Sequence, residues 1–334
     1  MTTLGLDIGG ATLKAATSTG EAWSRPFALY REPHRLSEEL RQFVGHVGAD
    51  RLAVTMTGEL CDCFRTKSDG VRAILDAVCS AFPQARDVKV WQTSGHFVDV
   101  ATALTDPWST AAANWHALAT FAGRFSMGAR TLLVDIGSTT TDIIPILNRS
   151  PAPRGRTDPD RLATSELIYL GVLRTPLCAL LPQVTIDGKV YRTMAEWFAT
   201  TQDIYLLLGD LTEDSEDLST ADRRPATIEF AIGRLAHWIG SDETRFSRDH
   251  ARSMAQQVSG KIEELLTDGL RQVRDESLDG GIDQVILSGQ GEFVAQRLPF
   301  LEHYPKHSLA DSLGPALSKA ACAYAVAILA NEAR

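Results

Sequence analysis

Gly5-Leu6-Asp7-Ile8-Gly9-Gly10-Ala11-Thr12-Leu13-Lys14 and Leu132-Leu133-Val134-Asp135-Ile136-Gly137-Ser138-Thr139-Thr140-Thr141-Asp142 carry one pattern twice. Each is an apolar run, then Asp-Ile-Gly, then small or hydroxylated residues, then a second extended run. An apolar run broken by glycine and resumed reads as a strand-turn-strand hairpin. The repeat predicts two related half-molecules, each placing an acidic residue at the mouth of a hairpin and together clamping one phosphorylated ligand.

The residue types suit phosphate. Gly9, Gly10 and Gly137 let backbone N–H groups turn inward as an anion nest. Thr12, Ser138, Thr139 and Thr140 add hydroxyl donors, and Lys14 adds a positive charge. Asp7 and Asp135 would repel phosphate directly, so they are predicted as ligands, direct or through water, for a magnesium ion that neutralises it. Ordinary hairpins with turn-capping Asp residues are the plainer alternative. A third element, Val285-Ile286-Leu287-Ser288-Gly289-Gln290-Gly291-Glu292, reads as a buried strand, a glycine turn and a helix start, another anion-facing mouth.

Outward from the first hairpin, strands are predicted at 3–8, 12–17 and 21–29, a helix at 36–47, a strand at 52–56, a helix at 71–82 and a strand at 88–91. That order is the order of a ribonuclease-H-like half. Pro107 marks a boundary, and Ser109–Phe125 reads as one alanine-rich connecting helix. The pattern restarts at Thr131. Residues 148–160 are predicted as loop, 161–171 and 184–194 as extended with a turn at Asp187-Gly188, and 196–208 as helix. Residues 209–225 are predicted as a mobile loop, solvated or acting as a lid. Helices at 226–239, 249–278 and 313–329 complete the chain.

The 334 residues allow two domains, and 44% hydrophobic with 22% charged residues suits sizeable cores. A net charge of −9 argues against nucleic acid or an anionic membrane as partner. No apolar run approaches the roughly 18 to 20 residues of a membrane span, and Met1–Leu6 shows no signal-peptide pattern. A cytoplasmic location is therefore expected. The five cysteines (Cys61, Cys63, Cys79, Cys178, Cys322) form no metal-knuckle spacing and read as free thiols, with a reactive Cys61 or Cys63 as the alternative. His303 and His307 have ligand-like spacing, but Pro305 between them speaks against a shared helix. Trp115 reads as core or as a stacking surface for substrate.

With these three elements the chain resembles the actin, sugar-kinase and Hsp70-like ATPase superfamily. The hairpins are similar to its two phosphate motifs, and Ser288-Gly289-Gln290-Gly291 sits where its adenosine motif lies, with Ser288 in place of a customary glycine. Asp7–Lys14, Val54-Thr55-Met56-Thr57-Gly58-Glu59-Leu60, Ala111-Ala112-Ala113-Asn114-Trp115, Glu166–Pro176 and Thr220-Ala221-Asp222 are similar to the hydantoinase/oxoprolinase-related proteins linked to tetrahydromethanopterin one-carbon transfer and methanofuran biosynthesis. The resemblance implies an α/β fold of two ribonuclease-H-like domains facing a phosphate-binding cleft. It implies a first domain of residues 1–108 plus 314–334, and a second of 109–313 carrying inserted substrate loops.

The implied activity is alkyl transfer: an aminomethyl-furanylmethyl diphosphate loses diphosphate to the phenol oxygen of a γ-glutamyl-tyramine-type acceptor. Lys14, Asp7, Asp135, Glu59 and Asp142 are then the candidate catalytic residues, with Asp7 and Asp135 holding Mg2+. Gly9, Gly10, Thr12, Gly137, Ser138, Thr139, Thr140, Gly289, Gln290 and Gly291 are candidates for holding phosphate or nucleotide. Thr57, Asn114, Glu166 and Arg174 are candidates for the acceptor, Arg174 through bidentate pairing with carboxylates or, alternatively, in a surface ion pair. Glu59, Asp142 and Glu166 compete as the base for the phenol. An ATP-dependent kinase or hydrolase of the same fold, and a non-catalytic nucleotide-responsive scaffold, are the competing readings.

Overall fold

The computed structural model describes residues 2–85 and 87–333. Strands β1 (Thr3–Ile8), β2 (Thr12–Thr17), β3 (Ala22–Pro26), β4 (Arg51–Met56), β5 (Val88–Trp91) and β6 (Phe97–Val98) form one sheet in the order β3-β2-β1-β4-β5-β6. Helices α1 (Leu36–Val44) and α2 (Lys67–Ala81) cover one face through Leu36, Leu40, Ile74 and Val78. Three short helices follow: α3 (Val100–Thr105), α4 (Pro107–Thr110) and α5 (Asn114–Ala122).

The second sheet is built from β7 (Arg130–Ile136), β8 (Thr141–Leu147), β9 (Ser150–Pro151), β10 (Leu167–Ile168), β13 (Gln284–Ser288) and β14 (Lys306–Ser308), with β9 paired to β8 and the rest in the order β10-β8-β7-β13-β14. Its centre repeats that of the first sheet: a central strand, an antiparallel hairpin partner on one side and parallel strands on the other. Between these strands come α6 (Asp158–Ala163), the hairpin β11 (Gln183–Ile186) and β12 (Lys189–Arg192), α7 (Thr201–Leu208), α8 (Ile228–Trp238) and α9 (Arg248–Ser277). Helix α10 (Glu292–Arg297) follows β13. The chain ends in α11 (Leu309–Leu313), α12 (Pro315–Lys319) and α13 (Ala321–Glu332).

Two helices lie between the sheets. Helix α13 packs on β1, β2 and β4, while α5 packs through Trp115, Leu118 and Ala122 on Leu133, Ile144 and Ile286 of the second sheet. They meet each other through Ala117, Phe121, Ala325 and Val326. Small residues make this possible. A Cβ on Gly5 would lie 1.9 Å from the Ala323 carbonyl oxygen, so glycine in β1 lets the alanine face of α13 settle directly on the sheet.

Several elements differ from expectation. The connecting helix is broken at 111–113, where Ala112 adopts φ 47°. The final helix is broken at Gly314 and Ala320 into α12 and α13. Residues 158–163, expected as loop and then strand, form α6, because Thr157 and Asp160 cap each other's backbone N–H. Helix α7 starts at Thr201 rather than 196, since Thr200 and Asp203 form the same reciprocal cap. Helix α2 starts early, at Lys67, where the Thr66 hydroxyl accepts from Asp69 N–H.

The 209–225 segment, expected as a mobile loop, is tied to the second half. Asp222 pairs with the buried Arg234 at 3.0 Å, and Gln202 donates to Asp217 at 2.8 Å. These contacts anchor the segment to α7 and α8.

Candidate active site

Asp7 and Asp135 occupy equivalent places in the two sheets. Asp7 on β1 lies opposite Lys14 on β2 and beside Thr55 on β4. Asp135 on β7 lies opposite Asp142 on β8 and beside Ser288 on β13. Both hairpins close identically, with Gly9 N–H donating to the Thr12 carbonyl at 3.1 Å and Gly137 N–H to the Thr140 carbonyl at 2.8 Å. Opposite the two aspartates the hairpins differ in charge: Lys14 in the first, Asp142 in the second.

The two aspartates face a common interior. Burial raises the Asp7 carboxyl above its ordinary range, and the Lys14 ammonium partly opposes the rise. Burial pushes Asp135 up to about 6, and the Asp142 carboxylate adds to that. Burial works to lower Lys14, but the neighbouring carboxylates, Asp7 first and then Asp135, outweigh it and hold the ammonium charged. Cys322 is raised well above a free thiol by burial and by both aspartates, so it is an inert neutral group on the floor of the site.

Asn114 Nδ2 donates to Cys322 Sγ at 3.8 Å, so the N-terminal ends of α5 and α13 meet on this floor. Each contributes about half a positive charge there.

The donor set fits magnesium. Asp7 Oδ1 and Ser288 Oγ are buried without hydrogen-bond partners. Among the described residues no three His, Cys, Asp or Glu side chains converge as a full metal shell. Two carboxylates, with water and substrate phosphate completing the shell, is the arrangement magnesium favours.

The remaining turns shape the mouth. Residues 171–174 run along the second hairpin: Val172 N–H donates to the Gly137 carbonyl at 3.0 Å, and Leu173 and Arg174 N–H to the Ser138 carbonyl at 3.1 and 3.0 Å. Arg174 and Thr57 are exposed there. The Arg174 charge reaches Cys61, whose thiol is pushed up to about 11, first by burial, which removes the reactive-thiolate alternative. Ser288-Gly289-Gln290-Gly291 is pressed against β7. A Cβ on Gly289 would lie 2.7 Å from Asp135 Oδ1, and one on Gly291 would lie 2.4 Å from the Ile136 side chain. The glycines are consumed in bringing this turn onto Asp135, and Gln290 alone of the four residues is exposed.

Three carboxylates compete as base, and their surroundings separate them. Glu166 accepts from Arg154 N–H at 2.7 Å, Gly155 N–H at 2.8 Å and Thr164 Oγ1 at 3.0 Å, so its carboxylate is fully engaged in organising the 154–155 turn. Asp142 is held by Arg161 at 2.5 Å. Glu59 is 1% exposed, keeps Oε2 without a partner, and is pushed up to about 7 by burial. Trp115 is core, 2% exposed, with the Arg161 guanidinium 4.0 Å from its ring centre. His307 stacks on Phe125 at 4.8 Å, away from any ligand role with His303.

Sequence reasoning missed Thr55, Cys322, Lys67, Asp158 and Arg161. Thr55 lies within the 54–60 segment but is not singled out from it, and Cys322 lies in no quoted motif. They are found only through strand pairing and helix packing.

A family model described as hydantoinase/oxoprolinase matches residues 50–332. The chain belongs to the hydantoinase/oxoprolinase family. A relative of this family member in Methanocaldococcus jannaschii is 32% identical over 98% of the chain and 97% of the relative. It is named (4-{4-[2-(gamma-L-glutamylamino)ethyl]phenoxymethyl}furan-2-yl)methanamine synthase. A protein of the same name in Methanococcus vannielii is 31% identical over 59% of the chain and 89% of the relative. Among solved structures, nucleotide-free acetone carboxylase superposes with a TM-score of 0.54 at 11% identity, covering 97% of the chain and 70% of that protein. A ROK-family glucokinase from Streptomyces griseus gives 0.50 at 12% identity over the full length of both. These likenesses establish the fold as that of the actin, sugar-kinase and Hsp70-like superfamily. Among the described residues no helix of this hydantoinase/oxoprolinase-family chain is long and apolar enough to cross a membrane.

Proposed function

We propose that the chain is a methanofuran-type cofactor biosynthesis transferase, a (4-{4-[2-(γ-L-glutamylamino)ethyl]phenoxymethyl}furan-2-yl)methanamine synthase. The near full-length similarity to the Methanocaldococcus jannaschii synthase carries this reading. The product named there is an aryl ether. In our reading the phenol oxygen of γ-glutamyl-tyramine forms a bond to the furanyl methylene, the bond from that carbon to the diphosphate oxygen breaks, and the phenol proton leaves to a base.

The furan oxygen can share its lone pair with the methylene carbon as the leaving group departs, so the main task is to stabilise diphosphate. Lys14 and the backbone N–H groups of residues 9–12 and 137–140 take that role. The N-termini of α5 and α13 support them. Asp7 and Asp135 would hold magnesium, which supplies charge neutralisation for the leaving diphosphate when bound. Asp142, at the place taken by Lys14 in the first half, is neutralised by Arg161, so the second hairpin still tolerates an anion.

The phenol has a reference pKa of about 10 and needs a proton acceptor. Glu59 is that base in our reading. It alone of the three competing carboxylates keeps a buried oxygen free of hydrogen-bond partners, and an affinity near 7 suits the work. Its burial means that acceptor entry must part the 57–60 turn from its neighbours. Arg174 at the mouth is placed to meet the acceptor's carboxylates, and Thr57 and Asn114 line its approach.

Purified protein, magnesium, the aminomethyl-furanylmethyl diphosphate and γ-glutamyl-tyramine, without ATP, test the proposal. Ether by mass spectrometry and an equal amount of diphosphate, both lost in Lys14→Ala and Asp135→Ala, are expected. A requirement for ATP, with phosphate released or acceptor phosphorylated, would replace the reading by a kinase or ATP-driven one.

A further inference from the structure

Lys67 is the first residue of α2, fixed there by the Thr66 cap. Its ammonium lies 2.7 Å from Asp158 on α6, 3.9 Å from Glu59, and 5.6 Å from the centre of the Trp108 ring. Both partners are shielded, the lysine side chain 10% and the aspartate 19% exposed, so the pair escapes much of the screening that weakens surface ion pairs. Asp158 opens α6, whose start is set by the Thr157–Asp160 reciprocal cap and by Pro159.

One turn later Arg161, 1% exposed, donates to Asp142 at 2.5 Å and to the Glu166 carbonyl at 3.0 Å. Asp142 stands opposite Asp135. A continuous chain of charges, Glu59, Lys67, Asp158, then α6, Arg161 and Asp142, thus runs from one face of the cleft to the other. A second ion pair linking the sequence regions expected for the two halves, Arg124 to Glu332, lies at the far ends of α5 and α13 and is 35% and 56% exposed.

We propose that Lys67 and Asp158 are positioning residues: their pairing sets the base side of the cleft, at Glu59, in register with the diphosphate side, at Asp135 and Asp142. The proposal rests on the transferase reading for what is being positioned, while the coupling itself is tested apart from catalysis.

The kinetic arm compares Lys67→Met, Asp158→Asn and the double variant in ether formation. Each single change lowers kcat at least 10-fold with KM for the diphosphate substrate moving less than 3-fold. The double variant is no worse than the poorer single one, and Lys67→Arg recovers most of the loss. Unchanged kcat, an effect on KM alone, or losses that multiply in the double variant would overturn the proposal.

Hydrogen exchange by mass spectrometry reads the link without turnover. Lys67→Met speeds exchange at least 10-fold in 158–163 on the opposite face, Asp158→Asn does so around 59–70, and the double variant adds nothing. Changes confined to the substituted segment would overturn the coupling. A wild-type protein that forms no ether would sink the transferase reading and leave the exchange result to decide the link.

Discussion

Gly171→Ala changes no charge, no donor and no acceptor, yet it should cripple the enzyme. A Cβ at residue 171 would lie 2.4 Å from Thr139 N and 2.5 Å from the Ser138 carbonyl carbon. Both atoms are backbone of the second hairpin turn, so no side chain can rotate away. Restoring an ordinary contact of 3.4 Å demands a displacement of about 1 Å, in the turn or in the 171–174 segment bonded to it. A misplacement of about 1 Å costs on the order of 100-fold in rate, or about 2.7 kcal/mol of transition-state stabilisation.

The expected result is a kcat/KM reduced about 100-fold, with inorganic diphosphate binding weakened in calorimetry and far-UV circular dichroism unchanged. Gly260→Ala, in a helix where a Cβ meets nothing within 4 Å, is the control and should retain full activity. Retention of activity within 3-fold in Gly171→Ala would refute the claim that the second turn holds the leaving group.

Further outcomes follow from burial and charge. Glu59 is ordinarily near 4.5 and is pushed up to about 7 in the folded chain, with Lys67 lowering and Asp158 raising it after burial. The folded state therefore binds the extra proton, so this stability is full below about pH 4.5 and is lost as pH rises through 7. Glu59→Gln should flatten the thermal-denaturation profile across that window by about 3 kcal/mol; an unchanged slope would remove the assigned ionisation. Under the proposed role of Glu59 as base, kcat/KM should fall about tenfold per pH unit below 7 in wild type, an arm absent from Glu59→Gln.

Arg161→Met leaves Asp142 buried and unpaired and should destabilise the protein by about 3–5 kcal/mol in urea unfolding, whereas Arg161→Met with Asp142→Asn should recover much of the loss. Asp7→Asn should weaken magnesium binding at least tenfold in calorimetry with inorganic diphosphate present, and equal affinity would exclude Asp7 as a ligand.

The architecture is legible because its signals are local. Each hairpin writes its own strand, turn and strand within a dozen residues, and the two Asp-Ile-Gly turns disclose the duplication directly. The glycine at position 5 and the alanines of α13 are visible in the chain, but their mutual contact is not, since it joins residues more than 300 apart. The break at Ala112 carries no glycine or proline signal. Reciprocal caps at Thr157–Asp160 and Thr200–Asp203 are readable from residue spacing and place α6 and α7 correctly once recognised.

The ranking of Glu59, Asp142 and Glu166 is beyond sequence for a different reason. All three are buried carboxylates, and only their partners distinguish them. Arg161 lies 19 residues from Asp142, and the Glu166 partners sit in an irregular turn. Lys67 and Asp158 stand 91 residues apart in regions with no shared motif.

The bond that forms is the most direct test of the account. γ-Glutamyl-tyramine carrying 18O in its phenol group, turned over with the furanylmethyl diphosphate and magnesium, should give an ether retaining all of the label and a diphosphate containing none. Unlabelled ether, or label in phosphate or diphosphate, would mean that the phenol oxygen is not the nucleophile at the methylene carbon, and the transferase mechanism would fall.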